Sequence, residues 1–435
     1  MARTGAQALV ENCHELREIK PRLPFLLAMG YPPPPMAKRH LNPESPWLLG
    51  LLAALVALGP LSVDMYLPAM PNMMRALDTD IGHMHLTMSS YLTGFAVFHL
   101  ACGPLADRFG RKPILTAGTV IFVAACLGCA QSTSVEELLG FRFLQGVGAC
   151  VGPTLARTVT RDLFGPKRAA KALSLIAMLM ALGPAVAPTL GGFLLLILPW
   201  PVIFVFLACY GALMILLLQV YLAESLPEKQ SLHPMSIGRN YMQLITDPSY
   251  LLVTVASALI YSALLAYLSS ASFVYIEMLG VPMQYFGFIF LTTVAGYIVG
   301  SGVSARVASY FDSQQTMLVG AVICLLTTSS MWAGASLFPE SIWALMLPMT
   351  IYAIGMGLVL PHAMAVALAP FPHIAGTASA LMGFLQMGLS AIGAAAVGAV
   401  LTDSPQPMLI AMFIITLTAV LLSLRVYTQY RRSPT

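Results

Sequence analysis

The chain has 435 residues, of which 58% are hydrophobic and only 9% charged, and its mean hydropathy is +0.81. A water-soluble domain carries about 25% charged residues, so this composition excludes an ordinary soluble globular protein. The net charge of +4 reflects a bias of lysine and arginine toward one side of a membrane, and it predicts no nucleic-acid partner.

An α-helix needs about 20 apolar residues to cross a bilayer. Twelve runs of roughly that length follow one another along the chain, and the longest contain glycine and proline that predict tilts or kinks. The sequence therefore predicts an all-α membrane protein with twelve transmembrane helices. The predicted spans are 47–70, 84–106, 113–131, 138–159, 169–197, 201–223, 250–276, 284–305, 316–337, 341–369, 374–401 and 406–427.

The longest polar stretch between spans divides them into two groups of six. We predict two homologous six-helix halves. The extension 1–46 has charges of both signs, a run of prolines and no apolar stretch long enough for a signal peptide. We expect it to be disordered, with translation beginning at Met36 or residues 1–35 dispensable. The predicted segments are the extension 1–46, the halves 47–223 and 250–428, the cytoplasmic linker 224–249 and the tail 429–435.

Lysine and arginine indicate the orientation, because the cytoplasmic loops of membrane proteins carry an excess of both. All but two of the 22 lysines and arginines fall in segments that share one side of the twelve-span topology. The exceptions are Arg75, in the first outward loop, and Arg142, inside a predicted span. Both chain termini are therefore predicted to be cytoplasmic.

The first span contains an acidic residue, Asp64. A carboxylate in a membrane helix costs about 2.5–3.5 kcal/mol, so it normally faces the interior and carries function. At a rise of ~1.5 Å per residue, Asp64 lies ~26 Å from Trp47, and Arg142 reaches a similar depth in the fourth span. Each charge is costly alone, so we predict that the two residues pair. The alternative is a structural Asp64 that only makes hydrogen bonds at the outer interface.

A short polar loop, Gly103–Pro113, joins the second and third spans. Gly103 predicts a close backbone approach, and Gly110 predicts a turn with positive φ. Asp107 is suited to accept hydrogen bonds from a helix N-terminus or an arginine. The order Gly-x-x-x-Asp-Arg-x-Gly-Arg-Lys resembles the loop signature of the major facilitator superfamily of transporters, and a generic basic loop is the alternative. The cations that hold the loop in the cytoplasm are Arg108, Arg111 and Lys112.

The fourth span presents Arg142 and Gln145 three residues apart, on one face of a helix. The Arg-x-x-Gln-Gly string resembles the superfamily motif whose arginine is associated with proton coupling. At the end of this span, we expect Arg161 and Asp162 to clamp the loop that contains Asp107. A solvated helix end is the alternative for those two residues.

The fifth span contains two prolines and three glycines within ten residues. Prolines remove backbone donors and bend a helix, and glycines offer a flat surface to a neighbour. A packing kink alone accounts for such a pattern, but its position resembles the antiporter motif of exporters in the superfamily. The motif residues are Gly183, Pro184, Pro188, Gly191 and Gly192.

Cys126 and Cys129 have the spacing of a metal or redox pair, but they lie in mid-span without a histidine or carboxylate beside them. We therefore interpret both as small packing residues and predict no metal site.

The second half has no acidic residue in the middle of a span, but its spans carry tyrosine, glutamine and methionine. Such side chains offer adaptable contacts to a substrate. His362 follows Pro361, so it is either a polar contact or part of a helix break. The predicted cavity residues are Tyr66, Tyr91, Phe95, Tyr261, Tyr297, His362 and Gln386.

Together, the first-span string Leu-Ser-Val-Asp-Met-Tyr-Leu-Pro, the Gly103–Pro113 loop and the fourth- and fifth-span motifs resemble the Bcr/CflA group of bacterial inner-membrane drug:proton antiporters. The resemblance implies export of small amphipathic drugs, siderophores or metabolites against inward proton flow. Asp64, Arg142 and Gln145 then serve proton coupling. We expect a multi-pass monomer that uses alternating access, has no cofactor and draws its energy from the proton gradient.

Two alternatives remain open. A proton-coupled importer of a small organic solute or siderophore has the same fold, although the fifth-span motif argues against it. A membrane enzyme or receptor needs a catalytic constellation or a large extramembrane domain, and neither is visible in the sequence.

Overall fold

The computed structural model describes residues 46–226, 234–401 and 404–432, without the side chains of 46, 164–175, 177–182, 234 and 432. The predictions for the N-terminal extension, including the start at Met36, fall almost entirely outside these residues. Within the described ranges every regular element is a helix. The helices are α1 Pro46–Asp64, α2 Met70–Ala76, α3 Ile81–Phe109, α4 Arg111–Gln131, α5 Val135–Ala149, α6 Val151–Leu194, α7 Pro201–Tyr221, α8 Pro234–Ile245, α9 Pro248–Ser272, α10 Met283–Val307, α11 Ser313–Leu337, α12 Ile342–Leu368, α13 Ala375–Val400 and α14 Gln406–Arg432.

Ten stretches of the described chain are long and apolar enough to cross a membrane. They coincide with ten of the twelve predicted spans, all except the second and the fifth. The second predicted span corresponds to α3, which has 29 residues but many polar side chains. The fifth lies in the second part of α6, where many side chains are not described. The protein is therefore an all-helical, multi-pass membrane protein.

Helix α6 does not run straight. Gly152, near its start, lies against the backbone of Leu55, and Gly191, near its end, lies against Met65. The two glycines would be ~58 Å apart in a straight helix, but their partners are only ~15 Å apart along α1. The two ends of α6 therefore pack side by side on α1, as the predicted fourth and fifth spans require.

Polar side chains fix the starts of several helices. Asp80 accepts a hydrogen bond from the backbone N–H of His83 at the start of α3, and Ser134 accepts one from Glu137 at the start of α5. The bond from the His83 N–H is the main cause that holds the pKa of Asp80 below its ordinary value. The cap therefore stays charged at neutral pH, as a helix N-terminus favours.

Glycines bring helices into close contact in both halves. A Cβ on Gly146 of α5 would lie 2.0 Å from the carbonyl oxygen of Tyr91, and a Cβ on Gly300 of α10 would lie 2.3 Å from that of Ile354. Lipid tails supply no hydrophobic driving force between helices, so close van der Waals packing of this kind stabilises a membrane bundle.

Side-chain contacts join the two halves at one end of the bundle. We call the end that carries the Gly103–Pro113 loop the motif end and the opposite end the far end. At the far end, Arg75 of α2 forms an ion pair with Glu277, which lies just after α9, at 2.9 Å. His85 of α3 packs there against Gly398 of α13, and its ring stacks on Phe273. The halves are therefore joined at the far end by both charged and apolar contacts.

Candidate transport site

A fully buried arginine, Arg142, is held within the first half. Its Nη1 donates to the carbonyl oxygen of Ser62 at 3.2 Å and to the Oε1 of Gln145 at 2.6 Å. Its Nε has no hydrogen-bond partner among the described residues. Helix α5 therefore fixes this cation against the backbone of α1.

Two tyrosines flank the Arg142 guanidinium. Its central carbon lies 4.2 Å from the ring centroid of Tyr66 and 4.5 Å from that of Tyr91. The Tyr66 hydroxyl forms a hydrogen bond with Thr87, and the Tyr91 hydroxyl donates to the carbonyl oxygen of Gly59 at 3.1 Å. Both tyrosines are buried. Our prediction that they line the substrate cavity is therefore wrong for this conformation, because their rings enclose Arg142.

Gln145 connects Arg142 to the neighbouring helix α4. Its Nε2 donates to the Sγ of Cys126 at 3.1 Å. Cys126 and Cys129 are buried free thiols, and no group of metal-ligating residues occurs among the described residues. The i, i+3 spacing of Arg142 and Gln145 thus builds a polar pair inside the first half, as the sequence predicts.

Asp64 ends α1 and is 4% exposed, but it does not pair with Arg142. The ion pairs found among the described residues do not include its carboxylate. The prediction that the two residues share a level is right, since Arg142 binds the backbone only two residues away from Asp64, at Ser62. The predicted pairing is wrong because two residues rotate a helix by ~200°, so the Ser62 and Asp64 side chains leave α1 on opposite faces.

Asp64 instead has a neighbour in the second half. It lies close enough to Tyr261 of α9 to interact electrostatically, and Tyr261 has the same relationship to Tyr297 of α10. Tyr297 in turn lies close to Arg157 of α6. Asp64, Tyr261, Tyr297 and Arg157 thus form a polar series that crosses between the halves twice. Of the predicted cavity residues, Tyr261 and Tyr297 are half-buried and belong to this series.

Sequence reasoning missed Arg157 as a site residue. From the sequence it is one of the cytoplasmic cations at the end of the fourth span. Its spacing carried a signal, because Cys150, Thr154 and Arg157 recur at i, i+4 and i+7 on one helical face. Thr154 on this face contacts His99 of α3.

The motif loop is held by ion pairs. Gly110 has a φ of 111°, the positive value that the sequence predicts. Arg111 pairs with Asp107 at 2.6 Å, and its Nε lies 3.3 Å from Oδ2 of Asp162. Asp162 therefore clamps the loop, as expected from the end of the fourth span. Arg161 is exposed.

Glu224 completes the loop, and sequence reasoning missed it. Its carboxylate accepts hydrogen bonds from the backbone N–H groups of Arg111 and Lys112 at 2.9 and 3.2 Å. It thereby caps the N-terminus of α4 from more than 100 positions away in sequence. The available signal was an acidic residue directly after the sixth span.

Two other loop residues differ in their surroundings. Gly103 has no neighbour within 4 Å of a Cβ placed on it, so the predicted close backbone approach is absent at this described position. Arg108 is exposed, and its guanidinium lies 5.3 Å from the ring centroid of Phe109.

The fifth-span motif contacts both halves. A Cβ on Gly191 would lie 2.7 Å from the carbonyl oxygen of Met65, and one on Gly192 would lie 2.7 Å from that of Met283 in α10. Gly183 makes only an ordinary contact with Pro60. Pro184 and Pro188 lie within α6, whose helical course continues to Leu194.

The remaining predicted cavity residues are not grouped at the polar series. Phe95 is buried and stacks on His99. His362 is buried beside Ser313, 3.0 Å from its hydroxyl, and α12 continues through Pro361 without a break. Gln386 is half-buried, and its backbone carbonyl accepts a hydrogen bond from Ser390.

The family model described as the Major Facilitator Superfamily matches residues 52–394. The chain belongs to the major facilitator superfamily. It is therefore a transporter of this superfamily rather than an enzyme. An uncharacterised transporter of this type from Bacillus subtilis, YdgK, is 32% identical over 81% of this chain and 88% of its own length.

Two further relatives support the resemblance to the Bcr/CflA group. The bicyclomycin resistance protein homolog of Haemophilus influenzae is 29% identical over 83% of this chain and 91% of its own length. Multidrug resistance protein D of Escherichia coli is 30% identical, with coverages of 78% and 85%. The group assignment made from the motifs is confirmed.

Solved structures of this superfamily share the fold. A bacterial homologue of the human lysosomal transporter Spinster, in an inward-facing and unoccupied conformation, has a TM-score of 0.70 at 16% identity, covering 89% of this chain and 98% of that one. The nucleoside transporter NupG has a TM-score of 0.70 at 14% identity, with coverages of 88% and 99%.

Proposed function

We propose that this transporter exports small amphipathic compounds, such as drugs, siderophores or metabolites, across the bacterial inner membrane in exchange for protons. The relatives named for bicyclomycin and multidrug resistance support the class of substrate. We further propose twelve spans in two halves, with both termini and the motif end in the cytoplasm. The transporter works as a monomer without a cofactor and uses the proton gradient.

The observation that carries the proposal is Asp64, a buried carboxylate that has a neighbour in the opposite half and no cationic partner among the described residues. An unpaired charge in a protein interior is costly, so the charge on Asp64 is tied to how the halves are arranged around it. Because Tyr261 belongs to the second half, a rocking motion changes the surroundings of Asp64. Protonation of Asp64 can therefore drive the change between the two access states.

Arg142 has a supporting role in this scheme. It holds the middle of α5 against the end of α1 and against α3 through Ser62, Tyr66 and Tyr91, all within the first half. The first half then moves as a rigid unit, and Asp64 moves with it. In this scheme Arg142 holds the first half together, instead of pairing directly with Asp64 as the sequence predicts.

The contacts at the far end support a conformation closed on the outer side. The Arg75–Glu277 ion pair and the packing of His85 on Gly398 join the halves there. In the alternating-access cycle these contacts break, and the site opens outward for substrate release and protonation of Asp64.

Inverted membrane vesicles test the direction of coupling. The vesicles are acidified inside, and a chemically mixed panel of compounds is added outside while a dye reports internal pH. An exported compound should draw protons out and raise the internal pH. A compound that lowers it would indicate symport and overturn the proposal. Vesicles that contain Glu340→Gln, which changes an exposed acid, provide the control and should respond like the wild type.

A further inference from the structure

Arg157 differs from the other arginines near the membrane interior. It is exposed, although it lies within the bundle and is surrounded by protein on most sides. Arg142, by contrast, is fully buried and bonded to Ser62 and Gln145. The Arg157 side chain therefore faces an internal space rather than lipid or packed protein.

Among the residues that the structure describes, no carboxylate neutralises this charge. Arg111 pairs with Asp107 and Asp162, and Arg75 pairs with Glu277, but no ion pair of the described chain includes Arg157. The described residues also provide no hydrogen bond from its guanidinium. Arginines within membrane spans are rare and normally pair with another group or line a water-filled cavity, so an unpaired one marks a place where a partner can bind.

The surroundings of Arg157 suit an organic partner. Thr154 shares its helical face and is half-buried, and Tyr297 approaches from the second half. Tyr261 lies next to Tyr297. A guanidinium beside tyrosine rings can bind a carboxylate, sulfonate or phosphate through paired hydrogen bonds, while the rings contact an apolar body.

The position also separates this cation from Asp64. Gly152 lies level with Leu55, and the chain here runs antiparallel to α1, so Arg157 lies near the level of residue 50. It is therefore about 20 Å from Asp64 along the bundle axis. At this separation an anion bound to Arg157 makes no direct contact with Asp64.

We infer that Arg157 binds the anionic group of the transported molecule, and that the substrates of this transporter are amphipathic organic anions. This inference rests on the proposed export function and assigns its substrate class. The proton site at Asp64 and the anion site at Arg157 are separate, and they communicate through the rearrangement of the halves.

Three probes with the same phenylpropyl body and different head groups test the inference on the purified full-length protein. They are 4-phenylbutyrate, the neutral 4-phenylbutyramide and the cationic 4-phenylbutylamine. Calorimetry should give tighter binding of the acid than of either other probe. Arg157→Gln should weaken binding of the acid about 10–100-fold, the value of one or two charge-assisted hydrogen bonds. Binding of the amide should change less than about 2-fold, within the usual effect of a surface substitution.

Two further variants make the result specific. Arg157→Lys keeps the charge but not the planar guanidinium group. Its affinity for the acid should therefore lie between those of the wild type and Arg157→Gln. Arg306→Gln changes an exposed arginine at the end of α10 and should leave binding unchanged. Equal binding of acid and amide by the wild type, or an unchanged preference in Arg157→Gln, would overturn the inference.

A lipid headgroup is the other source of an anion. If adding phosphatidylglycerol raises the melting temperature of the wild type but not of Arg157→Gln, while 4-phenylbutyrate shows no Arg157-dependent binding, the site is a lipid site and the inference is wrong. Proton-coupled efflux of cations but not anions would also overturn it, and the proposed exporter would stand. Arg157-dependent anion binding without any proton-coupled transport would support the site and refute the exporter.

Discussion

Arg142 donates a hydrogen bond to the carbonyl oxygen of Ser62, two residues before Asp64. The only arginine buried in α5 thus reaches the level of the only acid in α1 without pairing with it. Arg142 is therefore a structural cation and Asp64 a separate protonatable acid, so substitutions at the two residues should have different effects.

A double-mutant cycle tests that separation. Arg142→Gln should lower the melting temperature, since it leaves the Tyr66 and Tyr91 rings and the Ser62 carbonyl without their partner. Asp64→Asn should have little effect on stability, and the double variant should equal the sum of the two changes within about 0.5 kcal/mol. Thermal unfolding in one detergent provides the measurement. A coupling energy of more than about 1 kcal/mol would indicate a direct ion pair.

The motif loop gives a second prediction. Arg111→Gln removes the contacts with Asp107 and Asp162 and should reduce both melting temperature and export rate. Arg108→Gln, three residues earlier in the same loop, changes an exposed side chain and should alter stability by less than about 0.5 kcal/mol. Equal losses in the two variants would show that the clamp does not stabilise the loop.

Close helix packing gives a third prediction. Gly146→Ala should destabilise the protein, because the new Cβ would lie 2.0 Å from the Tyr91 carbonyl oxygen. Gly50→Ala, whose Cβ would meet nothing within 4 Å, should instead stabilise it by up to about 1 kcal/mol through helix propensity alone. Thermal unfolding of both variants checks the sign. A stabilising Gly146→Ala would contradict the packing described for α3 and α5.

The far-end ion pair gives a fourth prediction. Arg75 and Glu277 are 58% and 35% exposed, so their pair contributes at most about 1 kcal/mol. Arg75→Gln should therefore raise the population open at the far end by up to about 5-fold. Spin labels at positions 78 and 340 report this population as a longer distance. The charge exchange Arg75→Glu with Glu277→Arg should restore the wild-type distribution, and a failure to do so would rule out the pair as a latch.

The sequence was informative where lipid imposes a simple rule. Ten spans follow from the length of the apolar runs, and the positive φ at Gly110 follows from turn chemistry. The shared level of Asp64 and Arg142 follows from the rise of a helix. Rotation about a helix axis does not follow from depth, which is why the Asp64–Arg142 pair was predicted wrongly. Glu224 and Arg157 were missed because their partners, the start of α4 and Tyr297, are remote in sequence and depend on tertiary packing.

The central claim is that Asp64 is the proton-carrying group. Proteoliposomes containing wild type or Asp64→Asn are compared in two modes, proton-driven uptake and substrate counterflow without a proton gradient. We predict that Asp64→Asn loses proton-driven transport but retains counterflow, because the neutral side chain still allows the halves to move. Full proton-driven transport by Asp64→Asn would contradict the account.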